Sequence, residues 1–189
     1  MHSAGGGVVK PGSAEPLRAI MGHHVWATLG LLDHCRQLSP DQLELTAPGT
    51  FGTIHATLEH LVRADGGYQR RITGGARVPP PDELPPLASL RAAMEAQAGR
   101  WRDFLDRVDE LDATHPEEPG EYPQIEHAVG LYFAQAVHHG NDHRTHICTI
   151  LGAHGLEAPE FSAWEYLRFV RSGADAAAGN PFEAGAPAS

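Results

Sequence analysis

The chain has 189 residues, of which 41% are hydrophobic, and this size is typical of one domain with its own core. Its formal net charge is −10 and Lys10 is its single lysine, which argues against a nucleic-acid partner because phosphates must be neutralised by basic residues. The sequence has no run of about 20 apolar residues for a membrane span, no apolar core of a secretory signal and no disulfide framework, so it predicts a cytoplasmic protein without a membrane partner.

One folded domain is predicted over residues 15–172. Residues 1–14 are rich in Gly and Ser, and residues 173–189 are small with little to bury, so both segments are predicted to be disordered tails. Within the domain, proline-rich connectors at 77–87 and 115–124 interrupt any regular element.

Between these breaks, apolar residues recur at the three- and four-residue spacing of amphipathic helices. The first such stripe includes Ile20 and His24, and the turn after it, Ser39 to Gln42, has the pattern of a helix capping box. Alternating strand patterns are absent from the sequence. The pattern therefore predicts an all-α four-helix bundle with a short extra C-terminal helix. The predicted helices cover residues 17–38, 54–72, 87–111, 125–150 and 160–172.

The most unusual feature of the composition is its 13 histidines, four of which lie within residues 138–146. At 100° per residue, His139 and His143 fall near the centre of the fourth apolar stripe, whereas His138 points away from it. Burying a polar group without a partner costs about 1–3 kcal/mol. A metal ion shared by the two imidazoles is the partner that this spacing favours. The alternative is a pair of core histidines that bind carboxylates or carbonyls.

A metal site of this kind needs a third ligand from another helix. The candidates are His24 on the first helix and His55 or His60 on the second. Helical phase does not select among them, since His60 lies about 120° from the middle of its own stripe.

Two segments resemble the DinB branch of the DinB/YfiT-like metalloprotein superfamily. They are GTFGTIHATLEHLVRADGGYQRRITG at 49–74 and HHGNDHRTHICTILGAHGLEAP at 138–159. The resemblance extends over roughly residues 17–170 and implies that His60, His139 and His143 are metal ligands. Thr145 and His146 replace the Gly-Gln pair usual in this branch, and Tyr68 stands where Trp is common.

The resemblance implies a divalent metal ion, with zinc or nickel favoured, and an enzyme that acts on a small molecule. Two reactions stay open, namely attack of a low-molecular-weight thiol on an electrophile, as in thiol-dependent S-transferases, and hydrolysis. By its helical position, His146 is either a residue that lines the site and donates a proton or a partly exposed histidine without a role. The alternative is a non-catalytic metal-binding or stress-response protein. The family also implies a homodimer. Cys35 and Cys148 are expected to be packing residues rather than nucleophiles.

Overall fold

The computed structural model describes residues 14–73, 75, 79–107 and 129–172. Within these residues the regular structure is helical and contains no strand, which confirms the predicted fold class. The helices are α1 Ala14–Cys35, α2 Pro40–Leu43, α3 Ile54–Ile72, α4 Leu87–Asp106, α5 Val129–Ala153 and α6 Ala163–Arg171. The two predicted tails, apart from Ala14, and the connector at 115–124 lie outside the described residues.

The four long helices form the bundle. Neighbouring helices in the bundle are α1 and α4, α4 and α3, α3 and α5, and α5 and α1. The main contacts of α6 are with α1. The short helix α2 begins with the predicted capping box, in which Ser39 and Gln42 each bind the other's backbone N–H. Thr53 and Ser162 cap α3 and α6 in the simpler way, through a side-chain oxygen.

The core lies between the four helices and follows the predicted stripes. Its largest fully buried side chains include Trp101, Phe133 and Met94. One assignment from the periodicity was wrong, because Ile20 is 46% exposed although it shares the stripe of α1. Among the described residues, no helix combines the length and the apolar character that crossing a membrane requires.

Four histidines outside the predicted metal site attach loops to the bundle. Each has its Nε2 at 2.7–3.0 Å from a backbone carbonyl oxygen, and since a carbonyl can only accept, that nitrogen carries the proton. The pairs are His23 with Phe161, His34 with Glu157, His55 with Pro85, and His154 with Thr46. These contacts account for part of the high histidine content without any chemistry.

Candidate metal centre

Three imidazoles converge where α3 packs on α5. The Nε2 atom of His139 lies 3.0 Å from Nε2 of His60 and 3.1 Å from Nε2 of His143. One ligand atom from each of the three residues lies within 4.8 Å of the others. The structure thus brings together the three residues that the family resemblance selected, although helical phase had not favoured His60.

The arrangement of these nitrogens, with Nε2 of His139 close to both of the others, suits a shared cation better than hydrogen bonds. Two nitrogens bound at 2.0–2.1 Å to one tetrahedral ion lie about 3.3–3.4 Å apart, close to the observed 3.0 and 3.1 Å. Without an ion, a neutral imidazole offers one proton, so Nε2 of His139 would need to divide one proton or one lone pair between two neighbours. The donor set, three neutral imidazoles, is one that Zn and Ni accept.

The protonation states also favour metal binding. Burial, followed by the neighbouring imidazoles of His143 and His60, lowers the pKa of His139 to about 3. Burial and the imidazole of His60 likewise lower the pKa of His143 to about 4. The pKa of His60 is lowered too, by burial first and then by the positive charge of Arg63. All three imidazoles are therefore neutral at neutral pH, which is the form that binds a metal ion.

The Nδ1 atoms of His60 and His143 lack hydrogen-bond acceptors. Metal-bound histidines usually donate their second N–H to an acceptor. Nδ1 of His143 is buried with no hydrogen-bond partner, and Nδ1 of His60 faces Arg63 at 3.2 Å. Arginine can only donate, so a cation on Nε2 of His60 requires this contact to be released. Glu59, next to His60 in the sequence, binds Arg63 at 2.7 Å.

Two aromatic side chains and one further histidine surround the cluster. The ring of Phe51 stacks on His60, with centroids 4.3 Å apart at 20°, and meets His143 edge-on at 4.9 Å. Tyr68 lies edge-on to His139 at 5.8 Å. His146 is half-buried, with its ring 5.4 Å from that of His143 and its buried Nδ1 without a partner. The sequence analysis gave no role to Phe51.

The other candidate third ligands have different partners. His55 binds the carbonyl of Pro85, and His24 belongs to a polar network in the core. Nε2 of His24 donates to Asp65 at 3.0 Å, and the second oxygen of Asp65 accepts from the indole of Trp101 at 2.8 Å. Nδ1 of His24 faces Arg144 at 3.3 Å. This network joins α1, α3, α4 and α5, and the one sequence signal for it was the position of the polar His24 on the apolar stripe of α1.

Arg144 is also part of this buried network. The guanidinium is buried, donates to Thr28 at 2.8 Å and also binds Asn141. Burial lowers the pKa of Arg144 to about 10, which still leaves it charged at neutral pH. Gly140 permits the close approach of α1 and α5, since a Cβ there would lie 2.5 Å from Cε1 of His24.

The two cysteines lie away from the three imidazoles. Cys35 is buried, and burial raises the pKa of its thiol to about 12. Burial also raises the pKa of Cys148, which is half-buried with its Sγ 4.0 Å from the carbonyl of Pro159. A raised thiol pKa opposes the nucleophilic thiolate form at neutral pH.

A comparison with protein families finds a match that covers most of the bundle. The family model described as the DinB superfamily matches residues 21–147, which is more than half of the chain and includes all three converging histidines. No curated protein matches the chain.

Proposed function

The chain belongs to the DinB superfamily, and from this premise we propose that it is an enzyme that binds one divalent metal ion and acts on a small molecule. The ligands are the Nε2 atoms of His60, His139 and His143. The observation that supports the proposal is the convergence of these atoms at 3.0 and 3.1 Å. Zinc and nickel are the ions that we favour, since both accept imidazole ligands.

Three protein ligands leave a coordination position open, as in catalytic rather than structural sites. An ion bound there would ionise a coordinated thiol or water near neutral pH. The chain's own residues would then hold the ion through three imidazoles and flank it with Phe51 and Tyr68. We assign the role of proton acceptor or donor to His146, whose ring lies beside that of His143.

We favour a thiol cosubstrate over water. A metal-dependent hydrolase commonly uses a nearby carboxylate as general base, whereas an ionised thiol needs none. Among the described residues, the two carboxylates next to the ligands in sequence are already paired, Glu59 with Arg63 and Asp142 with His138. In the proposed transfer, the thiolate sulfur attacks an electrophilic carbon, the leaving group departs with its electron pair, and the thiol proton goes to solvent.

Metal analysis tests the first part of the proposal. Protein reconstituted with zinc or nickel at neutral pH should retain about one ion per chain by elemental analysis, and His60→Ala and His143→Ala should lose it. His55→Ala is the matched control, since His55 is a partly buried histidine on the same helix as His60 but binds Pro85. Retention well below one ion per chain, or equal retention by His143→Ala, would contradict the site.

An activity assay tests the second part. Consumption of an electrophile such as an alkyl halide should require both the metal and a low-molecular-weight thiol, and His60→Ala should abolish it. Turnover of an ester or amide without thiol would identify hydrolysis instead. A protein that binds the ion and fails in both assays would be a metal-binding protein without catalysis.

A further inference from the structure

One large apolar side chain faces solvent directly beside the three imidazoles. Phe51 is 51% exposed, whereas its loop neighbours Leu45 and Ala47 pack against the core. Its described ring contacts are with His60 and His143. Packing of the bundle therefore does not explain why an aromatic residue stands at this position.

The loop that carries Phe51 is fixed rather than free to swing. The N–H of Ile54 donates to the carbonyl of Leu45, which closes the loop at 3.2 Å. The hydroxyl of Thr50 donates to the carbonyl of Ala47 at 2.7 Å, and His154, directly after α5, donates to the carbonyl of Thr46 at 2.9 Å. Between these contacts Gly49 has a φ of 82°, a left-handed conformation that glycine adopts without strain. The loop thus fixes the backbone on both sides of Phe51, and the ring stacks on His60.

Tyr68 borders the same cluster from the side of His139. Its ring is edge-on to that imidazole, and its hydroxyl accepts from Gln135 at 3.4 Å. The two aromatic residues therefore contact different members of the histidine cluster, Phe51 touching His60 and His143 and Tyr68 touching His139. A small molecule that reaches the nitrogens past Phe51 meets an apolar ring face.

We propose that Phe51 is a specificity-determining residue, and that the substrate or cosubstrate of this site carries an apolar, preferably planar, group next to the atom that binds the metal. The proposal rests on the proposed function, because it needs an ion held by the three histidines. Phe51 acts by contact with the ligand rather than by holding the ion. Its removal should therefore change which ligand binds and leave the metal content unchanged.

The test compares two thiol probes on the cobalt(II)-loaded protein, with benzyl mercaptan as the aromatic probe and ethanethiol as the small one. Each probe binds as the thiolate and gives its proton to the buffer, and the thiolate-to-cobalt absorption band reports the bound fraction. The quantity of interest is the ratio of the two dissociation constants, since intrinsic differences between the thiols cancel when variants are compared.

In Phe51→Ala the preference for benzyl mercaptan over ethanethiol should fall about three- to tenfold relative to the parent protein, as expected for loss of one aromatic contact. Phe51→Leu, which keeps apolar bulk without a ring, should retain part of the preference. Trp164→Ala is the matched control, since Trp164 is an exposed aromatic residue on α6, and it should keep the parent ratio.

The outcomes separate the two proposals. A cobalt complex whose ratio is the same in Phe51→Ala and the parent protein would overturn the role of Phe51 and leave the metal site standing. Loss of cobalt from Phe51→Ala would also overturn it, because the residue would then be holding the ion. Failure of the parent protein to bind cobalt, zinc or nickel would overturn both proposals.

Discussion

Asp65 should be among the residues on which the stability of this bundle depends most. Its carboxylate is buried and accepts from His24 at 3.0 Å and from Trp101 at 2.8 Å. In Asp65→Asn the side chain keeps its shape, but one carboxylate oxygen becomes an NH₂ group that meets a donor. His24 cannot adapt by moving its proton, since its other nitrogen faces the guanidinium of Arg144, which only donates.

The magnitude follows from these contacts. Hydrogen bonds to a charged group contribute about 1.5–3 kcal/mol each, and breaking a buried charged network by removing one partner costs about 3–5 kcal/mol. We therefore expect Asp65→Asn to lower the free energy of unfolding by about 3–5 kcal/mol, a large part of the 5–15 kcal/mol typical of a domain. Trp101→Phe removes a single donor and should cost about 1–3 kcal/mol.

Urea denaturation of the metal-free protein, followed by circular dichroism, measures these differences without a contribution from ion binding. Asp103→Asn is the control, because Asp103 is exposed on α4, and it should change stability by less than about 0.5 kcal/mol. A loss below about 1 kcal/mol for Asp65→Asn would refute the reasoning. If Asp65→Asn does not fold, Trp101→Phe still measures one contact of the network.

Three further predictions concern the same two regions. Gly140→Ala should destabilise the protein by about 1–3 kcal/mol in the same urea assay, because its Cβ would clash with the buried ring of His24. Gly152→Ala is the control; the space around its Cβ is open, so it should be neutral or stabilise the protein by up to about 1 kcal/mol. The pKa of His139 is lowered to about 3 in the folded protein and is about 6.5 in the unfolded chain, so the unfolded chain binds more protons between these two pH values. The free energy of unfolding of the metal-free protein should therefore be highest above pH 6.5 and fall as the pH decreases toward 3. A free energy of unfolding that does not depend on pH would contradict this prediction. Arg63→Gln should raise the metal affinity about tenfold in a chelator competition. The substitution removes a positive charge beside Nδ1 of His60 and offers an amide oxygen that accepts the proton of that nitrogen. An unchanged or lower affinity would contradict the role given to this contact.

The sequence by itself determined the features that depend on near neighbours along the chain. The apolar spacing located the four long helices, the Ser39 and Gln42 side chains closed the predicted capping box, and the four-residue spacing of His139 and His143 placed both imidazoles on one side of a helix. These predictions succeed because each depends on helical geometry alone, which repeats every 3.6 residues whatever the rest of the chain does.

The tertiary structure decided which helix faces meet. Phase on α3 disfavoured His60, yet the packing of α3 on α5 brings its Nε2 to 3.0 Å from His139, while the family resemblance had selected it without a geometric reason. The same packing carries Asp65 to His24 and Arg144 into the core, and the sequence did not identify these contacts because their partners lie on different helices. The physical reason is that the rotation and offset of each helix are set by its packing against all of its neighbours at once. A contact between residues distant along the chain is therefore a property of the whole core and cannot be derived from the local pattern of either helix.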